Sequence, residues 1–249
     1  MSSQRQQNRD TDRLYAQHLE AISDFVFDQR VVEVFADMIR RSVPGYGTLL
    51  SMLPVIVRHF VRADTRCYDL GCSQGACALA MQQSVTVDGV SIVAVDNSPD
   101  MVASARRCLQ PQDETPVHVD VRCEDVLDTV IDNASLVVMN FTLQFVNADD
   151  RQALVRKIYH GLNPGGALLL SEKIRHAPQQ SALMTALHEE FKRANGYSEL
   201  EISQKRSALE NVLVADTLDQ HHQRLQRAGF SQVLPWFQCF NFHSLLAVK

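Results

Sequence analysis

The 249-residue chain holds a single tryptophan, and its six cysteines, at 67, 72, 77, 108, 123 and 239, include no Cys-x-x-Cys pair. Without such a pair, or histidines interleaved at the spacing tetrahedral zinc requires, no metal is expected and the thiols read as reduced core filler. No apolar run approaches the roughly 18 residues of a membrane span. The first residues, MSSQRQQNRDTDRLYAQ, contain no apolar stretch of the kind a secretory signal carries. A cytoplasmic protein with no membrane partner is therefore expected. Positive charge is also in short supply: 24 basic against 29 acidic residues give a net charge of -5. With no global positive field to hold a polyanion, direct nucleic-acid binding is not expected.

What is present is apolar patterning, at 45% hydrophobic residues enough for one sizeable core. Residues 1–24 are polar and predict a mobile arm outside it. VVEVFADMIRR from Val31 and LLSMLPVIVRHF from Leu49 have helical periodicity, separated by Ser42-Val43-Pro44-Gly45. A regular alternation follows. TRCYDL, SIVAVD, VHVDVRCED, ASLVVMNF and GGALLLSEK read as short buried strands, and helical stretches such as ACALAMQQS, SPDMVASARRCLQ and DRQALVRKIYHGL lie between them. Strands alternating with helices predict right-handed βαβ units, hence an α/β, Rossmann-like, mostly parallel sheet covered on both faces. After Lys173 the alternation gives way to charge-rich helical sequence, and VLPWFQCF with FHSLLAVK predicts a closing strand pair. The expected organisation is one domain over 25–249: N-terminal helices at 25–64, a cofactor-binding core at 65–175, a helical lid at about 176–228 and the strand pair at 229–249.

Chemistry enters at Tyr68-Asp69-Leu70-Gly71-Cys72-Ser73-Gln74-Gly75, a strand running into a glycine-punctuated turn and then a helix. Glycines let the backbone approach a ligand, and the helix N-terminus offers N–H groups. Ser73 stands where a dinucleotide fingerprint has glycine, which argues against a pyrophosphate ligand. Asp96 ends the second strand, where a carboxylate accepts ribose hydroxyls. Asp125, after the third strand, is placed to take an adenine amino group. Carboxylates in series at Asp69, Asp96 and Asp125 suit an adenosine ligand without phosphates. No strong general base stands out: Asn140, Thr142 and Gln144 orient a ligand but take no proton at pH 7.

These residues, with YHGLNPGGALLLSEK from Tyr159, resemble the class I S-adenosylmethionine-dependent methyltransferase superfamily over about 45–249, whose sheet has seven strands with the last antiparallel. A larger set of segments is more specific. VFADMIRRSVPGY, YDLGCSQGA, AVDNSPDM, NFTLQF, FKRANGYSELEISQKRSALENV and VLPWFQCFNF resemble the carboxy-S-adenosyl-L-methionine synthase family over about 24–249.

That resemblance implies S-adenosyl-L-methionine as one substrate and prephenate as the other. The products would be carboxy-S-adenosyl-L-methionine and phenylpyruvate, the first being the donor that a separate tRNA carboxymethyltransferase uses to make 5-oxyacetyluridine at the wobble position. It further implies a homodimer. Family ligand contacts carry over to Tyr46, to Gly71, Cys72 and Ser73, to Asp96 and Asn97, to Asp125 and Val126, to Asn140, and to Arg206, which is expected to hold the product's new carboxylate and so to be the catalytic residue. A guanidinium suits that task through two parallel hydrogen bonds. Prephenate is a dianion and needs a further cation, for which Lys192, Arg193 and Lys205 are candidates. Two other readings share the adenosine site: an ordinary methyltransferase acting on a small molecule or RNA, and a catalytically silent S-adenosylmethionine-binding module.

Overall fold

The computed structural model describes residues 11–110 and 117–249. The chain order is α1 (Gln29–Ser42), α2 (Tyr46–Phe60), β1 (Arg66–Leu70), α3 (Ala76–Gln82), β2 (Ser91–Asp96), α4 (Pro99–Cys108), β3 (His118–Cys123), β4 (Ala134–Asn140) and α5 (Arg151–Gly161). It continues with β5 (Leu162–Lys173), α6 (Pro178–Ala194), α7 (Glu199–Leu209), α8 (Leu218–Ala228), β6 (Gln232–Cys239) and β7 (Phe242–Val248). One seven-stranded sheet runs in the order β3-β2-β1-β4-β5-β7-β6. Strands β1 to β5 pair in parallel, and β7 lies antiparallel to both β5 and β6. This is the Rossmann-like α/β sheet expected, with its last strand antiparallel.

Both sheet faces are covered because strand side chains alternate. Cys67, Ile92, Ala94, Leu136 and Val138 enter the core that also takes α2 and α3 residues such as Val57 and Met81. Their neighbours Tyr68, Val93, Val95, Val137 and Met139 enter the opposite core with Leu154 and Ile158 of α5 and Leu225 of α8. The sheet order reverses between β1 and β4, so the carboxyl ends of β1 and β2 open a crevice there, where open α/β sheets bind ligands.

Two boundaries differ from the sequence expectation. Residues 1–10 of the expected arm lie outside the described residues, but from Thr11 onward the segment is pinned. Asp12 is 1% exposed. Its backbone N–H donates to Asp37 Oδ2 at 2.9 Å, and its carboxylate receives the Lys205 ammonium at 3.3 Å and the Tyr197 hydroxyl. Gln204 of α7 then clasps the Tyr15 and Gln17 carbonyls at 2.9 and 2.8 Å and accepts the Leu19 N–H at 2.8 Å. Polar composition misled here because the polar groups are spent on contacts some 190 residues away in the chain. The second difference is α8: Leu225 and Ala228 are core residues, so α8 belongs to the covering layer, and of the expected lid only α6 and α7 contribute residues to the cavity described below.

Local signals explain the helix starts around the crevice. Asp28 caps α1 by accepting from Arg30 and Val31 N–H, and Ser98 caps α4, with Pro99 at its first turn. Ser198 with Glu201 forms a capping box on α7, and Thr217 with Gln220 forms another on α8.

Candidate active site

The turn after β1 is built for close approach. Gly71 has φ of +81°, and a Cβ there would lie 2.1 Å from Thr142 Oγ1, so only glycine fits. The N–H groups of Gly71 and Cys72 both donate to the Val95 carbonyl at 2.8 Å, which ties the turn to β2. Ser73 adopts φ of +49°, the left-handed conformation that the fingerprint glycine would take without strain. Its N–H donates to Asp96 Oδ2 at 2.9 Å, while Asp96 Oδ1 accepts from Ser98 N–H at 2.9 Å. Burial raises the Asp96 pKa, and these two N–H groups oppose that shift. Asp125 Oδ1 accepts from Leu127 N–H at 2.8 Å, with Val126 buried beside it.

A single cavity of about 460 Å³ collects Gly71, Ser73, Asp96, Asn97, Asp125, Val126 and Asn140. The Asn140 side-chain amide donates to Cys77 Sγ at 3.5 Å, and its Oδ1 is buried without a hydrogen-bond partner among the described residues. An unpartnered buried acceptor on a residue that lines the cavity calls for a donor, which a ligand can supply when the side chain turns toward it. A methionyl ammonium is such a donor, so the residues present fit S-adenosylmethionine: carboxylates toward ribose and adenine, a bare backbone turn, and an acceptor at Asn140. Among the described residues, no group of three or more His, Cys, Asp or Glu is placed to hold a metal ion.

The remaining candidates lie elsewhere. Asp69 is not the third acid of a ligand series: it is buried, accepts from Ala78 N–H at 2.9 Å, and so anchors the start of α3, with burial pushing its pKa up to about 7. Cys72 points into the core beneath the turn rather than into the cavity. Tyr46 packs with Leu49, Phe141 and Phe242 behind the cavity wall, its ring 6.4 Å from that of Phe141. Arg206 does not line the cavity. Its side chain is 61% exposed and ion-paired with Glu189 of α6. An arginine on a charge-rich helix satisfies its guanidinium with the nearest lid carboxylate, which no motif in its own segment foretells.

Sequence reasoning missed two walls. The first is aromatic: Phe27, from the segment before α1, meets Phe35 at 6.4 Å and Phe145 at 5.4 Å between ring centroids, each edge-on. The Ser98 hydroxyl fixes this segment by donating to the Phe27 carbonyl at 2.6 Å. Its signal was the consecutive apolar run FVF just ahead of the α1 cap. The second is cationic and was missed only in part, since Lys192 and Lys205 were expected candidates and Lys173 and His188 were not. Lys173 at the end of β5, Lys192 of α6 and Lys205 of α7 all line the cavity, together with His188. Burial and the neighbouring lysines push the Lys192 pKa down to about 7. Burial, with Arg206 nearby, also lowers Lys173. His188, its Nε2 2.8 Å from the Ser42 carbonyl, is pushed down to about 3 by burial and by Lys192. Arg193 turns away from the cavity and pairs with Glu190 at 2.9 Å and with Glu199.

Comparison with known proteins bears on what this cavity serves. A methyltransferase-domain family model matches residues 68–166. Human N-acetylserotonin methyltransferase, solved with S-adenosylmethionine, shares the fold with a TM-score of 0.59 at 18% identity, over 89% of this chain and 55% of that one. A methyltransferase structure from Methanococcus maripaludis gives a TM-score of 0.58 at 19% identity, over 93% and 97% of the two chains. In sequence, a carboxy-S-adenosyl-L-methionine synthase from Trichlorobacter lovleyi is 55% identical over 96% of this chain and 98% of its own length. One from Klebsiella pneumoniae is 50% identical over 96% of each. With half or more of the residues identical over 96% of its length, the chain belongs to the carboxy-S-adenosyl-L-methionine synthase family.

Proposed function

We propose that the chain converts S-adenosyl-L-methionine and prephenate into carboxy-S-adenosyl-L-methionine and phenylpyruvate. The observation that carries this reading is the polarity of this cavity: carboxylates at Asp96 and Asp125 on the β2 and β3 side, lysines on the β5 side. An ordinary methyl acceptor has no need of a cationic wall, whereas a dicarboxylic second substrate does. The sequence relatives bear the synthase name.

In this reaction prephenate loses carbon dioxide and its ring hydroxyl as it aromatises. The carbon dioxide is captured at the sulfonium methyl carbon, and the proton given up there leaves with the hydroxyl as water. The protein's part is placement and exclusion of bulk water. Gly71 and Ser73 present bare backbone, Asp96 and Asp125 orient the nucleoside, and Asn140 offers its acceptor to the methionyl end. The aromatic wall of Phe27, Phe35 and Phe145 closes the adenosine side. Arg206 is assigned to the product's new carboxylate, which requires it to exchange Glu189 for the ligand or to serve the site of a second subunit. A homodimer in the cytoplasm, passing its product to a separate tRNA carboxymethyltransferase without binding nucleic acid itself, completes the assignment.

The test is mass spectrometry of the nucleoside pool after incubation with both substrates. One carboxyl added to the sulfonium nucleoside, dependent on prephenate, is expected, and its absence would refute the assignment. Arg206→Ala is expected to lose carboxylated product while retaining S-adenosylmethionine binding. A variant that keeps full product formation removes Arg206 from the mechanism.

A further inference from the structure

The cationic wall has an imbalance that the structure does not resolve internally. Of its three ammonium groups, only that of Lys205 is compensated: it meets Asp12 at 3.3 Å and Ser42 Oγ at 3.1 Å. Among the described residues, the Lys173 and Lys192 ammonium groups have neither an ion-pair nor a hydrogen-bond partner. The lysines come from three elements, β5, α6 and α7, so their convergence is a property of the fold and not of one charged helix face. Uncompensated cations held together in a partly desolvated cavity are costly, and a fold retains them where a ligand supplies the missing negative charge.

We propose that Lys173 and Lys192 form the subsite for the two carboxylates of a dicarboxylate second substrate, with Lys205 as the anchored floor between them and Asp12. The inference rests on the proposed reaction for the identity of that acid, prephenate, and rests on the lysine geometry for its charge. Two negative charges match the two ammonium groups left over, and the acids on the β2 and β3 side of the cavity repel the same ligand from the adenosine position. Arg193, which its place in the sequence made an equal candidate, is excluded by its outward pairs with Glu190 and Glu199. The depressed Lys192 pKa fits this picture, because an arriving carboxylate reprotonates the amine and binding takes up a proton near neutral pH.

Titration calorimetry of prephenate into wild type, Lys173→Gln, Lys192→Gln, Lys192→Arg and Arg193→Gln tests it, each loaded with S-adenosylhomocysteine, which lacks the methyl carbon that would react. Loss of one charge-assisted contact is expected to weaken prephenate about ten- to a hundredfold in each Gln variant. Lys192→Arg should retain most of the affinity, Arg193→Gln all of it, and S-adenosylmethionine affinity should stay within about twofold throughout. Unchanged prephenate affinity in both Gln variants overturns the subsite. So does a parallel fall in S-adenosylmethionine affinity, which would assign the lysines to the methionyl carboxylate, and so does a wild type that does not bind prephenate. If prephenate binds with the expected pattern but no carboxylated product forms, the subsite stands and the proposed reaction fails.

Discussion

Replacing Lys192 with Met should make the ligand-free protein more stable, and by an amount that depends on pH in a defined direction. In the unfolded chain this lysine holds its proton up to its ordinary 10.5, and in the folded cavity it releases it near 7. The groups facing it are Lys173 from β5 and Lys205 from α7, both cationic, and His188 on its own helix, which is neutral above about pH 3. Between pH 7 and 10.5 the unfolded state therefore binds the extra proton, and stability rises with pH in that window. Below pH 7 the full penalty applies. At about 1.4 kcal/mol per pKa unit the upper bound is close to 5 kcal/mol, and water in the open cavity reduces it to on the order of 2 kcal/mol. Met keeps most of the aliphatic stem and removes the charge, so it recovers that amount at pH 6, about 4 to 8 °C in melting temperature for a chain of this size. Urea and thermal unfolding of both proteins without ligand at pH 6, 7.5 and 9 would measure it. The advantage of the variant should shrink steadily toward pH 9. A variant no more stable than wild type at pH 6, or one whose advantage grows with pH, would show that the Lys192 charge is already compensated and would refute the argument.

Other expectations follow from single contacts. Asp96→Asn removes the charge that two N–H groups support and should weaken S-adenosylmethionine about tenfold or more by calorimetry, with little change in prephenate affinity in the loaded protein. Gly71→Ala drives a methyl group into Thr142 at positive φ and should cost upward of about 2 kcal/mol in urea unfolding. Pairing it with Thr142→Ala removes the two nearest atoms but leaves the Cβ of residue 142 at 2.8 Å as well as the backbone strain, so only partial rescue is expected. Asp12→Ala strands the buried Lys205 ammonium and should destabilise the fold by about 3 kcal/mol. An unchanged unfolding midpoint would return residues 11–24 to the status of a loose arm.

The sheet was legible because its code is local. Short apolar strands such as SIVAVD alternate with helices, and continuous burial, with alternate residues entering opposite cores, follows directly from a sheet covered on both faces. Gly71, Asp96 and Asp125 were legible for a related reason: each sits at or just past the carboxyl end of a strand, and strand ends in a parallel sheet converge on one crevice. Asp69 shows the limit of that logic. It also sits near a strand end, yet its carboxylate is consumed by the Ala78 N–H, and sequence spacing cannot tell a helix anchor from a ligand contact.

The order of strands and helices, the glycine turn, the acids that follow the second and third strands and the family itself were all determined by the sequence alone, through patterns spanning ten residues or fewer or through whole-chain likeness. Tertiary structure decided how the charges of the lid divide. Within FKRANGYSELEISQKRSALEN, Lys192 and Lys205 face the cavity while Arg193 and Arg206 are spent on carboxylates outside it. It also decided that Asp12, far off in sequence, neutralises Lys205 and leaves Lys192 and Lys173 uncompensated. Charge is readable in a sequence, but which opposite charge lies within 4 Å is a property of packing, and that distance sets whether a lysine is a solvated surface group or the reason a site attracts an anion.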